Sequence, residues 1–381
     1  MLVINDKEIF NFLDNQKEIL LAIYNEKGVL GLCGHNGPYM DKETGVRAQS
    51  HLIILLSNLD RVGKNRIYES KVNEIISSIF TSSFRLDQIV FVQRVKPGKD
   101  EVNGVIGIAW VIEALCAAYE VYKNNEAKAF LEKVEDNICF NSDRGLWYRP
   151  VDLNSKYINT IDETFNHQLW LAYALVYKCT VLEQPLSANL QNFFKRLNGL
   201  MNVYRSGLVK HSLQNKSTVK QFLRNILKIN KDRLSALIEG KSLKYKEYGY
   251  HLFNLYAFAR IADLGHSTLF SHIPGFIKAK KYCLNTKLLK ELLTNRDSTD
   301  FYIRGNNSGM PYNRYGFPYN VAGFEFLYIN EVLGLGANKS VLKEYFENQL
   351  NCYGISANKM YITEDLSNLL LRSYELSFIL I

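Results

Sequence analysis

The sequence predicts an all-α protein: six helical hairpins whose helices form an inner and an outer ring. Three observations carry this expectation. Apolar residues recur at helical spacing along nearly the whole chain, while strand-like alternation is weak. The helical segments alternate between amphipathic ones, such as "EAKAFLEKVEDNI", and ones apolar nearly all round, such as "IGIAWVIEALCAAYEV". A helix without a polar face must be buried on every side, so the second kind belongs inside the first. The inner segments can also be laid over one another, as hairpins that each bury an inner face only against neighbours should allow.

Taken in order, the expected helices are 6–26, 45–61, 66–82, 103–123, 126–139, 162–179, 187–204, 247–263, 266–282, 319–333, 338–351 and 364–380. The first shows the period directly in Ile9, Phe12, Leu13, Leu20, Ile23 and Tyr24. Segments 45–61 ("RAQSHLIILL"), 103–123, 162–179 ("HQLWLAYALVYK"), 247–263 ("EYGYHLFNLYAFA"), 319–333 and 364–380 are the inner set. Pro38, Pro97, Pro150, Pro185, Pro311 and Pro318 fall in connections or at helix starts, where a missing N–H costs little. Pro274 lies inside 266–282, so that segment is expected to be kinked or broken. Superposing the inner segments puts Arg47, Asn103, Glu163, Glu247, Tyr319 and Glu364 in one row. Four residues later stand His51, Gly107, His167, His251, Gly323 and Asn368, on the same helix face. Trp110 falls on Trp170 in this alignment, a match that packing explains.

The chain of 381 residues is 47% hydrophobic and 22% charged, enough for a large core, and holds 24 Tyr and 21 Phe. One domain over 1–381 is expected, with a basic helical insertion at about 210–246. That stretch holds ten Lys/Arg against two Asp/Glu, a balance equal to the +8 of the whole chain. Within it, Val219, Phe222, Leu223, Ile226 and Leu227 form one face of an amphipathic helix, and Lys220, Arg224, Lys228 and Lys231 another. It reads as a solvated face, or as a helix 219–233 docking on an anionic membrane surface or an acidic glycan. No nucleic-acid module accompanies the charge. The N-terminus lacks a signal-peptide pattern, no apolar run is long enough to span a membrane, and the six Cys are scattered. A cytoplasmic, disulfide-free protein is expected.

The paired helices and repeated inner rows resemble the (α/α)6 toroid of many glycoside hydrolases, polysaccharide lyases and sugar epimerases. A fainter similarity links the chain to helical proteins of bacterial surface-polysaccharide synthesis. The resemblance implies that the loops entering the inner helices, and the first turns of those helices, line a funnel at one end.

The expected catalytic residues of that funnel are Asp162, Glu163, His167, Glu247 and His251. Arg47, His51, Tyr39, Arg94, Trp147, Arg304, Tyr315, Asn320 and Glu364 are expected to bind substrate, since flat aromatics stack on sugar faces and Arg or Asn bonds hydroxyls and carboxylates. Each has an ordinary alternative. First-turn acids favour the helix dipole, and a His on an apolar helix is usually a satisfied core residue. Cys33, His35 and Cys352 would suit zinc and echo the lanthionine-forming cyclases. Those cyclases carry their ligands in later hairpins, so neither metal nor cofactor is expected.

The first reading is a carbohydrate-active enzyme, a glycosidase with Glu163 paired to Glu247, Asp162 or Glu364, or a lyase acting on an acidic glycan. The second is an epimerase or isomerase using His167 and His251. Acylglucosamine 2-epimerases are similar in length and architecture, but their late Glu-Pro-Gly-His stretch is absent here. The third is a non-catalytic toroid that binds glycan in an assembly machine.

Overall fold

The computed structural model describes residues 6–27, 39, 41–151, 155, 157–213, 244–296, 312–352 and 372–381. Its helices are α1 (Asp6–Lys27), α2 (Gly45–Gly63), α3 (Glu69–Thr81), α4 (Ile106–Tyr122), α5 (Asn125–Asn137), α6 (Phe165–Val181) and α7 (Ala188–Leu200). After them come α8 (Tyr245–Ile261), α9 (Pro274–Tyr282), α10 (Thr286–Leu292), α11 (Phe317–Asn320), α12 (Ala322–Leu333), α13 (Lys339–Cys352) and α14 (Tyr374–Ser377). Two antiparallel ribbons join the loops: β1 (Lys42–Glu43) with β2 (Arg94–Val95), and β3 (Phe140–Asn141) with β4 (Leu146–Trp147).

The inner ring closes. Helix α2 packs on α4, α4 on α6, α6 on α8, α8 on α12, α12 on α14, and α14 back on α2. The seam between first and last inner helices carries a hydrogen bond from Asn58 Nδ2 to Ser377 Oγ at 2.7 Å. Outside lie α1, α3, α5, α7, the α9–α10 pair and α13, each amphipathic and each against an inner helix. The (α/α)6 toroid expected from the alternation is the observed fold.

Local chemistry sets the boundaries. Thr44 caps α2 by accepting the Val46 N–H, and its hydroxyl donates to the Val92 carbonyl, which fixes the 91–101 loop against the helix start. Asn124 and Ser187 cap α5 and α7 in the same way. Pro274 stands at the start of α9, where it removes no helical hydrogen bond. The expected 266–282 helix is accordingly split by a π-turn and a 3₁₀ turn ahead of that proline. The expected 319–333 helix breaks at Val321, whose φ of 47° is left-handed, an uncommon state for a β-branched residue. Helix α10 follows the Asn285 cap and was not foreseen. Residues 214–243, including the basic helix 219–233, lie outside the described residues, as do Cys33 and His35. Among the described residues no helix is long and apolar enough to cross a membrane.

Deep in the ring the inner helices meet through a polar network rather than through hydrocarbon alone. The buried Arg260 guanidinium donates to the hydroxyls of Tyr173 at 3.0 Å and Tyr328 at 2.8 Å, and lies 3.3 Å from the Phe378 ring centroid. Tyr173 in turn donates to Glu113 at 2.8 Å, and Tyr374 reaches the same carboxyl at 3.4 Å. Burial pushes the Glu113 carboxyl up to about 7, against the pull of Arg260. One side chain therefore links α8 to α6 and α12 directly, and to α4 and α14 at one remove. Replacing Arg260 by Met should destabilise the fold by about 3–5 kcal/mol in denaturant unfolding, because the carboxylates and hydroxyls around it lose a buried partner. Tyr328→Phe, which removes one hydroxyl, should cost about 1 kcal/mol.

Candidate active site

The N-terminal ends of the inner helices surround a cleft of about 230 Å³. Two connections bring its chemistry together. Backbone N–H groups of Gln93 and Arg94 donate to the Glu101 carbonyl, folding 91–101 into a tight loop over α2 and α4. The 201–213 connection folds back on itself through the Val203–Val209 bridge, and its His211 carbonyl accepts the Phe165 N–H at 3.0 Å. That bond lays His211 beside the start of α6.

Asp162 is the pivot. It is fully buried, and its carboxylate accepts from Val105 N–H at 3.0 Å, Thr164 N–H at 3.1 Å and Arg149 Nη2 at 3.4 Å. Its Oδ2 also lies 2.7 Å from His167 Nδ1. Burial opposes its ionisation, but His167, Arg149 and the Val105 N–H outweigh that and hold the carboxyl well below the usual range. A carboxylate here accepts only, so Nδ1 of His167 carries the proton and Nε2 is the basic nitrogen. His167 is 18% exposed and lines the cleft.

Gly104 makes this pairing possible. It has a φ of +62°, and a Cβ there would fall 1.8 Å from Asp162 Oδ2 and 2.7 Å from His167 Nδ1. The following residues start α4, so Asp162 bridges the first turns of α4 and α6.

His211 and Lys246 also line the cleft, with Nε2 and Nζ 3.0 Å apart. Burial, with the charge of Lys246, keeps His211 well below its ordinary value and neutral. Its Nδ1 has no hydrogen-bond partner among the described residues. Tyr39 and Tyr250 share a hydroxyl contact of 2.9 Å and pack with Tyr319 into an aromatic wall. Arg47 lies 4.4 Å over the Trp110 ring and bonds Glu43 at 3.0 Å. The break at Val321 leaves Tyr319 and Asn320 lining the cleft, with Asn320 Nδ2 donating to Tyr315 O at 2.7 Å.

The sequence-derived residues therefore separate into groups. Tyr39, Arg47, Arg94, His167 and Asn320 line the cleft, and Asp162 holds His167 from behind. Glu163 precedes α6, is 52% exposed and pairs with Arg144 at 3.1 Å, so it does not reach the cleft. Glu247 faces the Tyr204 hydroxyl on another side of α8. His251 is a core residue: Nδ1 accepts the Val209 N–H at 3.3 Å and Nε2 donates to Ala279 O at 3.2 Å. His51 is buried between Trp110 and Tyr374, and neither ring nitrogen meets a hydrogen-bond partner among the described residues. Trp147 packs between Phe140 and Phe193 in the core, and Tyr315 stands behind the Tyr39–Tyr250 pair. Arg304 and Glu364 lie outside the described residues.

The physical reason for this separation is rotation. Arg47 and Glu247 stand on the first turns of α2 and α8, whereas Asn103 and Glu163 precede α4 and α6, so one row position meets cleft, core or solvent in different helices. Asp100, Arg149, His211 and Lys246 were not foreseen. Asp100 and Arg149 sit in the "GKDEVN" and "LWYRP" loops, where polar composition gave no register. His211 and Lys246 were hidden at the two edges of the basic 210–246 stretch. Among the described residues no cluster of His, Cys, Asp or Glu has the arrangement of a metal site.

No family model matches the chain. Over 261 residues it is 29% identical to the archaeal glycosylation protein Q of Haloferax volcanii, covering 66% of this chain and 70% of that protein. In three dimensions it is similar to the cellobiose 2-epimerase of Bacillus thermoamylovorans, with a TM-score of 0.59 over 97% of this chain and 98% of that one. The sequence identity in that comparison is 15%, so the likeness is one of fold.

Two outcomes follow from this geometry. Gly104→Ala should lower stability by about 1–2 kcal/mol from the left-handed backbone alone, and should also push Asp162 off His167, visible as loss of the Nδ1–H tautomer signal in ¹⁵N NMR. Burial depresses His251 to about 3, below its unfolded value of about 6.5. The stability of its neutral form is complete above about pH 6.5 and is lost as pH falls toward 3, at up to about 1.4 kcal/mol per pH unit. Unfolding free energies of His251→Gln should therefore fall less steeply than those of the parent between these limits.

Proposed function

We propose that the protein is a sugar-processing enzyme that moves a proton on the carbon next to a carbonyl, an epimerase or isomerase. The observation that carries this is the Asp162-held His167 in a cleft that is also lined by a second, neutral imidazole, His211. A fixed tautomer with a basic Nε2 suits general-base catalysis near neutral pH.

In an open-chain aldose the C2–H is the acidic position. His167 Nε2 takes that proton, the C2–H bonding electrons shift toward C1, and the carbonyl oxygen becomes the enediolate oxyanion. The Arg47 and Arg149 guanidiniums at the cleft wall are placed to stabilise that charge. Asp162 stabilises the imidazolium that forms and holds the ring in place. Return of a proton to C1, with the C2 hydroxyl proton passing to O1, gives the ketose. Return of a proton to the other face of C2 gives the epimer; His211 would deliver it, with the Lys246 ammonium resupplying the ring at Nε2.

The comparisons support this reading: the solved structure of like fold is a cellobiose 2-epimerase, and the sequence relative is a glycosylation protein. Glycoside hydrolysis has less support among the described residues. It calls for a protonated carboxylic acid opposite a second carboxylate. Asp100 is the carboxylate lining the cleft, and it is bonded to Arg149 at 2.7 Å, while Asp162 is held ionised.

The test is incubation with aldoses and disaccharides in D₂O, followed by NMR. Deuterium at C2 with inversion marks an epimerase, and deuterium at C1 of a ketose an isomerase. His167→Asn should reduce exchange by ~10²-fold or more with little change in melting temperature. A protein that binds sugars unchanged in both forms, with no exchange, would be a glycan-binding toroid instead.

A further inference from the structure

Resting on the reading of the cleft as a sugar site, we propose that its sugar carries an anionic group, a carboxylate or a phosphate, and that Lys246 is the counter-charge that receives it. The lining is strongly one-signed. Arg47, Arg94, Lys99, Arg149, Lys246 and Arg372 all border the cleft, against Asp100 as the lining carboxylate among the described residues.

Five of these cations are already matched. Arg47 bonds Glu43 at 3.0 Å, and Lys99 bonds Asp41 at 2.7 Å. Arg149 and Arg94 share Asp100, at 2.7 and 3.5 Å, and Arg372 bonds Glu325 at 3.3 Å and Glu375. Glu43, Asp41 and Glu325 do not line the cleft, so these cations hold their acids behind them.

Lys246 differs. No carboxylate among the described residues lies within ion-pair distance of it. Its Nζ meets the neutral ring of His211 at 3.0 Å and stands over the Tyr39 and Tyr250 rings at 5.2 and 5.4 Å. Its neighbour Glu247 is turned to Tyr204. Burial and the nearby charge of Lys99 pull its ammonium down to about 8. A part-buried ammonium without an anion carries a desolvation cost that a bound anion offsets and a neutral sugar does not. The aromatic faces beside it suit the apolar side of a sugar ring, so the charge and the stacking surface belong to one ligand.

The experiment is calorimetric titration of the whole protein with D-glucuronate, D-galacturonate and D-glucose 6-phosphate, against D-glucose, D-galactose and cellobiose. At least one acidic sugar should bind at least tenfold more tightly than its neutral counterpart. The carboxylate and phosphate arms identify which anion the site takes. Lys246→Met should lose at least tenfold of that affinity at an unchanged melting temperature, Lys246→Arg should keep it within a few fold, and His167→Asn should keep it too. Equal affinity for neutral sugars, no binding of any acid, or parental affinity in a folded Lys246→Met variant overturns the proposal. Binding of an acid without deuterium exchange at C2 sinks the epimerase reading and leaves the anion site standing. Exchange on neutral sugars at the rate seen with acids does the reverse.

Discussion

Six helices that are apolar on every side have one economical arrangement, in which each covers its neighbours and the last covers the first. The closed ring is that arrangement, and everything else in the molecule follows from it. Closure needs the α14–α2 seam, where Asn58 meets Ser377. It also needs an axis that satisfies the polar groups trapped inside, which Arg260 and its ring of tyrosines provide. A buried guanidinium with several hydroxyl partners fixes helix rotation more sharply than hydrocarbon packing does, because hydrogen bonds are directional.

The cleft exists because the network deep in the ring does not extend to the first turns. There the same six helices present N-terminal ends, loops and side chains of mixed character. Asp162 converts that loose end into a defined one. Its carboxylate takes donors from α4, from the start of α6 and from the Arg149 loop, so three chain segments are tied at one point. The pairing with His167 is a consequence of that tie, and Gly104 is the residue that lets the segments approach closely enough. Charge is arranged in the same spirit. Acids of the inner helices and of the loops entering them neutralise most of the cations of the cleft, which leaves the lining rich in positive groups.

The ring could be read from the chain because burial on all sides leaves a mark on every position of a helix. The facing of the aligned polar positions was not legible. Arg47 and His167 line the cleft, yet Glu163 and Glu247 of the same alignment turn to Arg144 and Tyr204. His251 matches His167 in sequence and spends both nitrogens on backbone groups in the core. The second imidazole of the cleft is His211, delivered by a connecting loop that carried no periodic signal.

What the sequence by itself determined is the alternating order and relative burial of the main helices, since apolar periodicity is a local property that survives any arrangement of neighbours. Only the tertiary structure decided which polar groups share a cavity. That depends on helix rotation and loop approach, and distances such as the 2.7 Å between Asp162 and His167 and the 3.0 Å between His211 and Lys246 join residues through contacts that no spacing along the chain encodes.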